Sequence, residues 1–190
     1  MPVHIGATTR NFADPTGLLS DCHRRVEMFL SSLKAVADVI AQPPAEETKR
    51  SLEAALHYFA QAAPKHTADE EKSLFPRLRQ INDPEVQSAF SSLDKLEADH
   101  HWAVPLHTAV ERLGKQYLLT GKLTNAEVAE FRSSVASLAS MYQKHIGIED
   151  KLVFPLAERL LSKTEKAAIA QEMASRRNAP LVEDIRGHNR

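Results

Sequence analysis

The pentapeptide His66-Thr67-Ala68-Asp69-Glu70 has a counterpart in His145-Ile146-Gly147-Ile148-Glu149, and both copies run on into Phe-Pro, at Phe75-Pro76 and Phe154-Pro155. His, Glu, Phe and Pro all recur at an offset of 79 residues. A histidine and a glutamate four apart on a helix lie about one turn, roughly 6 Å, apart on one face. At that spacing an imidazole nitrogen and a carboxylate can share one metal ion or bridge two. A single His-x-x-x-Glu is weak evidence. Two copies in register, with a shared tail, point to an internal duplication around a metal centre.

Helices are the expected carriers of this repeat. Glycine is scarce, 6 in 190 residues, and Ala, Leu, Glu and Lys are plentiful. The length fits one domain with a substantial core. Helix signals fall in order along the chain. Residues 1–13 read as an irregular arm. Asp14-Pro15 reads as an N-cap and first helical position for a helix to about Ile40, ended by Gln42-Pro43-Pro44, with Leu19, His23, Val26, Leu30 and Leu33 on its inner stripe. A second helix spans about Ala45 to Arg79, with a kink or break at Pro64 just before His66. Asp83-Pro84 opens a third, closed by Gly121, whose stripe is Leu93, Leu96, His100, Val104 and His107. Thr124-x-x-Glu127 is a capping box for the fourth, with Leu138, Tyr142, His145, Glu149, Leu152 and Leu156 facing inward. Ser162-x-x-Glu165 caps a short fifth helix to about Ser175, and 176–190 read as a flexible tail. The expected fold is all-α: an antiparallel four-helix up-down bundle over 14–175, with the short C-terminal fifth helix.

Each of the four long helices then carries one inward histidine: His23, His66, His100 and His145. On the third helix His100, with Leu96 and Leu93 behind it, is placed inside, and His101, with Glu97 and Asp94, toward the rim. The duplication agrees, since His23 and His100 are 77 residues apart. A lone histidine on an apolar stripe is usually a hydrogen-bonded core residue. Four of them with two inward carboxylates form a different case, because burying carboxylates without compensation is costly. A salt-bridge alternative would need inward Lys or Arg, and the stripes offer none.

These residues resemble the hemerythrin-like HHE cation-binding family. The resemblance spans about Pro15 to Leu161 and rests on His23, His66-x-x-x-Glu70-Glu71-x-x-x-Phe75-Pro76, His100 and His145-x-x-x-Glu149-Asp150-x-x-x-Phe154-Pro155. It implies a metal site of His23, His66, Glu70, His100, His145 and Glu149, holding two iron ions (Fe2+/Fe3+) with an oxo or hydroxo bridge, Glu70 and Glu149 spanning both. Manganese and zinc rank behind iron, since imidazole and carboxylate suit all three. Val104 stands where the oxygen carriers of this family place a further histidine, so the sequence predicts an unusually open site there. The ligand set is most similar to that of the repair-of-iron-centres di-iron proteins.

The expected function is a non-haem di-iron protein that binds, senses or turns over dioxygen, peroxide or nitric oxide. The alternative is an iron store or donor acting through protein contacts to repair damaged iron centres. Whether it is an enzyme is left open. The expected partner is a small diatomic or peroxide ligand. A net charge of −1 gives no electrostatic case for nucleic acid. No apolar run reaches the length of a membrane span, and Met1 to Asn11 lacks the pattern of a signal peptide. One cysteine, Cys22, read as a packing thiol, and this leaderless start give a cytoplasmic expectation, with a monomer assumed. Glu71 and Asp150 read as outer contacts or solvated charges, Tyr142 as a core-edge residue, and His107 as a pocket or surface histidine.

Overall fold

A computed structural model describes residues 14–179 and Phe12; the rest of the expected arm, and the expected tail from 180 on, lie outside the described residues. Helix α1 (Pro15–Val39) begins where Asp14 accepts the Gly17 N–H at 2.9 Å. After α2 (Glu46–Gln61) the chain breaks at Ala62 and restarts as α3 (Ala63–Asp69), with Pro64 in its first turn. Pro64 has no N–H and would crowd the carbonyl four residues back, which favours a break at this point. Helix α5 (Pro84–Thr120) runs unbroken through Pro105 and ends at Gly121, whose φ of 71° is a left-handed cap. Helices α6 (Asn125–Ile148) and α8 (Lys163–Arg176) each start with a complete capping box, Thr124 with Glu127 and Ser162 with Glu165.

Both His-x-x-x-Glu segments end in the same irregularity. A π-helical turn spans Glu70–Leu74 before α4 (Phe75–Leu78), and another spans Glu149–Val153 before α7 (Phe154–Leu160). The Phe75 N–H bonds to the Glu70 carbonyl, and the Phe154 N–H to that of Glu149, each five residues back. Pro76 and Pro155 follow immediately, and a widened turn relieves the crowding a helical proline imposes on the preceding turn. The extra residue shifts the inner stripe by one position. Val153 is fully buried and Leu152 only partly so, which corrects the expected stripe.

The four antiparallel rods are α1, then α2 through α4, then α5, then α6 with α7. Helix α1 packs on α2 and α6, and α5 packs on α6 and α2, closing a four-membered ring; α8 lies against α1, α3 and the first π turn. Every described element is helical. The core has two parts. One centres on Leu33, Leu52, Leu113, Phe131 and Leu138, the other on Leu19, Phe75, Leu96, Phe154 and Met173. Each fully buried Leu or Phe stabilises by about 1.5–3 kcal/mol. Between the two parts lies a layer that contributes nothing of this kind, because it is made of histidine and glutamate.

Candidate metal centre

That layer holds all six residues singled out in the sequence. His23, His66, His145, Glu70 and Glu149 are buried, and His100 is 9 % exposed. His101, the rejected neighbour, is exposed. The 3.6-residue period of α3 and α6 sets each histidine one turn before its glutamate. His66 Nε2 lies 3.0 Å from Glu70 Oε1, and His145 Nε2 lies 3.3 Å from Glu149 Oε2. The other two histidines reach across from α1 and α5. His23 Nε2 is 3.1 Å from Glu149 Oε2 and 3.8 Å from Glu70 Oε1, and His100 Nε2 is 3.5 Å from Glu70 Oε2.

Two donor groups result: His23, His66, Glu70 and Glu149, and Glu70, His100, His145 and Glu149; within each group the donor atoms all lie within 4.8 Å of one another. They share both carboxylates. Although these atoms are close, they are poorly aligned for hydrogen bonds to one another. His23 Nε2 and all four carboxylate oxygens of Glu70 and Glu149 are buried without a hydrogen-bond partner. Orphaned charged oxygens at zero exposure would cost several kcal/mol. The ion pairs of Glu70 and Glu149 among the described residues involve histidines alone. The donor set therefore fits a cation, or two, as the missing compensation.

The electrostatics agree. Burial lowers all four imidazoles. At His66 it prevails, helped by the neighbouring His23, and at His100 it prevails, helped by His145. At His23 the contacts to Asp150, Glu149 and Glu70 outweigh burial and push it up to about 11; His145 is raised in the same way by Glu149. Burial and the nearby Glu149 push Glu70 up to about 8, whereas Glu149, despite burial, is held low by His145 and His23. Without metal, the cluster keeps protons that a metal would displace.

Outer contacts orient the rings. Asp150 Oδ1 lies 2.9 Å from His23 Nδ1, and Glu71 Oε1 lies 2.8 Å from His100 Nδ1. The acid after each glutamate thus serves the histidine of the opposite half. Asp99 Oδ2 lies 3.5 Å from His145 Nδ1, close enough to act through its charge but without a hydrogen bond. The ring of Phe154 stacks on His23 at 5.1 Å, so the Phe-Pro tail closes over the layer from below. Asp99 had no sequence signal, because a residue just before His100 points about 100° round the helix; only α6 brings its partner. Asp69, fully buried and gripped by Arg176 and Arg177 at 2.8 and 2.6 Å, was missed for the same reason.

Val104 corrects the expected open site. It is 60 % exposed, and Ala103 takes the inward position. The stripe of α5 runs 93, 96, 100, 103, 107, 110, and two successive steps of four overshoot the face by about 80°. Access lies elsewhere. A cavity of about 10 Å3 between His23, His66, His100, Tyr142 and His145 has roughly the room one water molecule needs. His100 and Tyr142 also line a groove of about 520 Å3 between α3 and α5.

Comparison with known proteins gives two findings. The family described as hemerythrin HHE cation binding domain matches residues 14–157. A protein of Haemophilus influenzae, described as an uncharacterized protein, is 27% identical over 165 residues, covering 86% of this chain and 90% of its own.

Proposed function

For this chain, which belongs to the hemerythrin HHE cation-binding domain family, we propose a non-haem di-iron protein that binds, senses or turns over a small ligand such as dioxygen, peroxide or nitric oxide. That it is a metal-binding protein follows from the family and from its two His/Glu donor groups. The observation that carries the finer reading is that the two groups share Glu70 and Glu149. His23 and His66 would hold one ion, His100 and His145 the other, and the two carboxylates would span them. Iron with nitrogen and oxygen donors supplies redox chemistry and affinity for small diatomic molecules. The chain's own residues do the rest. Asp150 and Glu71 hold the His23 and His100 rings in register through Nδ1. The layer is enclosed by apolar residues, and the cavity beside it, about the size of one water molecule, is too small for an organic substrate.

Metal analysis and optical spectra of protein made in iron-replete cells test this reading. Two iron ions per chain, with spectra that change on adding peroxide or nitric oxide, are expected. Metal well below stoichiometric would overturn it. Rapid iron loss to a chelator with no response to oxygen, peroxide or nitric oxide would favour the iron store or donor instead. No described helix is long and apolar enough to cross a membrane.

A further inference from the structure

The six donor residues are enclosed: none is more than 9 % exposed, and the cavity beside them has room for about one water. Part of the wall must therefore move before a solute reaches the layer. The cavity and the groove between α3 and α5 stand back to back, and Ala63, Thr67, His100 and Tyr142 line both. Two of these are small residues on α3, and His100 is a donor held at Nδ1 by Glu71. Tyr142, itself buried, is the remaining side chain large enough to plug the opening.

Tyr142 has room to move. It also lines a hollow of about 500 Å3 between α1 and α6, so a second open space adjoins the ring. The rings of His107, His145 and Phe59 lie with centroids 5.8, 6.1 and 6.5 Å away, toward the outer end of the range for aromatic contact. Among the described residues, the hydroxyl bond to His107 Nε2 at 3.0 Å is the one polar contact that fixes the ring. The groove suits a cation: Glu71 and Glu111 stand in its wall against one lysine, Lys72, and Glu71 leads directly to His100.

We propose that Tyr142 is the gate of this centre. Metal cations reach the histidine layer from the α3/α5 groove when the Tyr142 ring swings off His107, and they leave by the same route. His100, the most exposed of the six donors, is the one met first. Tyr142 ligates nothing. Because it stands in the way of entry and exit alike, it sets both rates and leaves the affinity unchanged. This inference rests on the reading that the layer binds cations and does not depend on their being iron.

Stopped-flow mixing of the metal-free full-length chain with cobaltous ions, followed by their visible absorption, gives the uptake rate, and transfer from the loaded protein to excess EDTA gives the release rate. Tyr142→Phe keeps the ring and drops its bond to His107. It should raise both rates by about 2- to 10-fold, the worth of one hydrogen bond, with the dissociation constant unchanged. Tyr142→Ala removes the ring and should raise both further. Ala60→Trp, at an exposed position in the groove wall, should slow both, and Ser140→Trp, at an exposed position in the α1/α6 hollow, should not. A purely structural role for Tyr142 would instead change the affinity, through faster release alone. That result would overturn the inference, as would uptake unmoved in both Tyr142 variants, or uptake slowed by Ser140→Trp and not by Ala60→Trp. If Tyr142→Ala fails to fold by circular dichroism, Tyr142→Phe and the two tryptophan variants carry the test. Cobalt bound normally with unmoved rates would sink this inference and leave the proposed function standing; no cobalt bound by the parent protein would sink both.

Discussion

The hydroxyl of Tyr142 on α6 lies 3.0 Å from Nε2 of His107 on α5, and the pair stands between the groove and the histidine layer. Burial lowers His107 to about 4, so it is neutral at physiological pH and Nε2 can accept the tyrosine proton. Tyr142→Phe removes the partner of a half-buried nitrogen at the edge of the groove, and we expect a loss of about 1 kcal/mol in denaturant unfolding with metal content unchanged. The sign of the pH effect follows. The unfolded chain protonates His107 near its ordinary 6.5 and the folded protein only near 4, so stability falls as pH drops through that window. In His107→Asn that part of the acid loss should disappear; an unaltered pH profile would show that His107 is not neutral in the folded state.

Metal uptake should depend on pH in the opposite region. Metal needs Glu70 ionised and His23 neutral. In the metal-free protein Glu70 is raised to about 8 and His23 to about 11, so both keep protons at pH 7. Apparent affinity should rise between pH 6 and 8, by about tenfold per unit for each proton expelled. A raised carboxyl contributes stability that is full below its ordinary 4.5 and is lost as pH rises toward 8. The drop in melting temperature on chelation should therefore be larger at pH 8 than at pH 6. Calorimetry in buffers of different ionisation enthalpy should register proton release; none detected would contradict the proton count.

Asp69 is fully buried and held by Arg176 and Arg177, while Arg77 bridges Glu172 at 2.7 Å. These pairs pin α8 across the helix that carries His66 and Glu70. Removing both arginines strands a buried carboxylate one residue from Glu70. For Arg176→Ala with Arg177→Ala we expect about 3–5 kcal/mol of destabilisation and faster metal loss to a chelator. Arg77→Ala, whose partner Glu172 is 39% exposed, should cost far less.

Val104→His is expected to leave metal content, spectra and ligand reactions unchanged, because position 104 faces solvent. The same logic separates neighbours in the second π turn. Val153→Ala, at a fully buried site, should cost about 2 kcal/mol, and Leu152→Ala clearly less. A Val104→His protein with altered spectra would mean that α5 turns a different face to the layer.

Glu70→Ala and Glu149→Ala should each lower metal content severely, since both carboxylates belong to both donor groups. His101→Ala should not, being exposed on α5. Metal analysis showing His101→Ala as damaging as His100→Ala would shift the register of that helix by one residue.

The helices and their ends were legible in the amino-acid order because their causes are local. Asp14, Asp83, Thr124 and Ser162 cap through bonds to residues two or three places on, Gly121 ends a helix by its own left-handed backbone, and Pro64 breaks one within a turn. The duplicated His-x-x-x-Glu was legible for the same reason: one helical turn sets that geometry, and repetition marked it as more than packing. Tertiary structure alone decided the rest. The π turns move the inner face from Leu152 to Val153, and the long run of α5 carries its face from Val104 to Ala103, because a phase error of one residue is about 100° and only packing against other helices corrects it. Asp150 behind His23, Glu71 behind His100 and Asp99 behind His145 come from rods far apart in the chain.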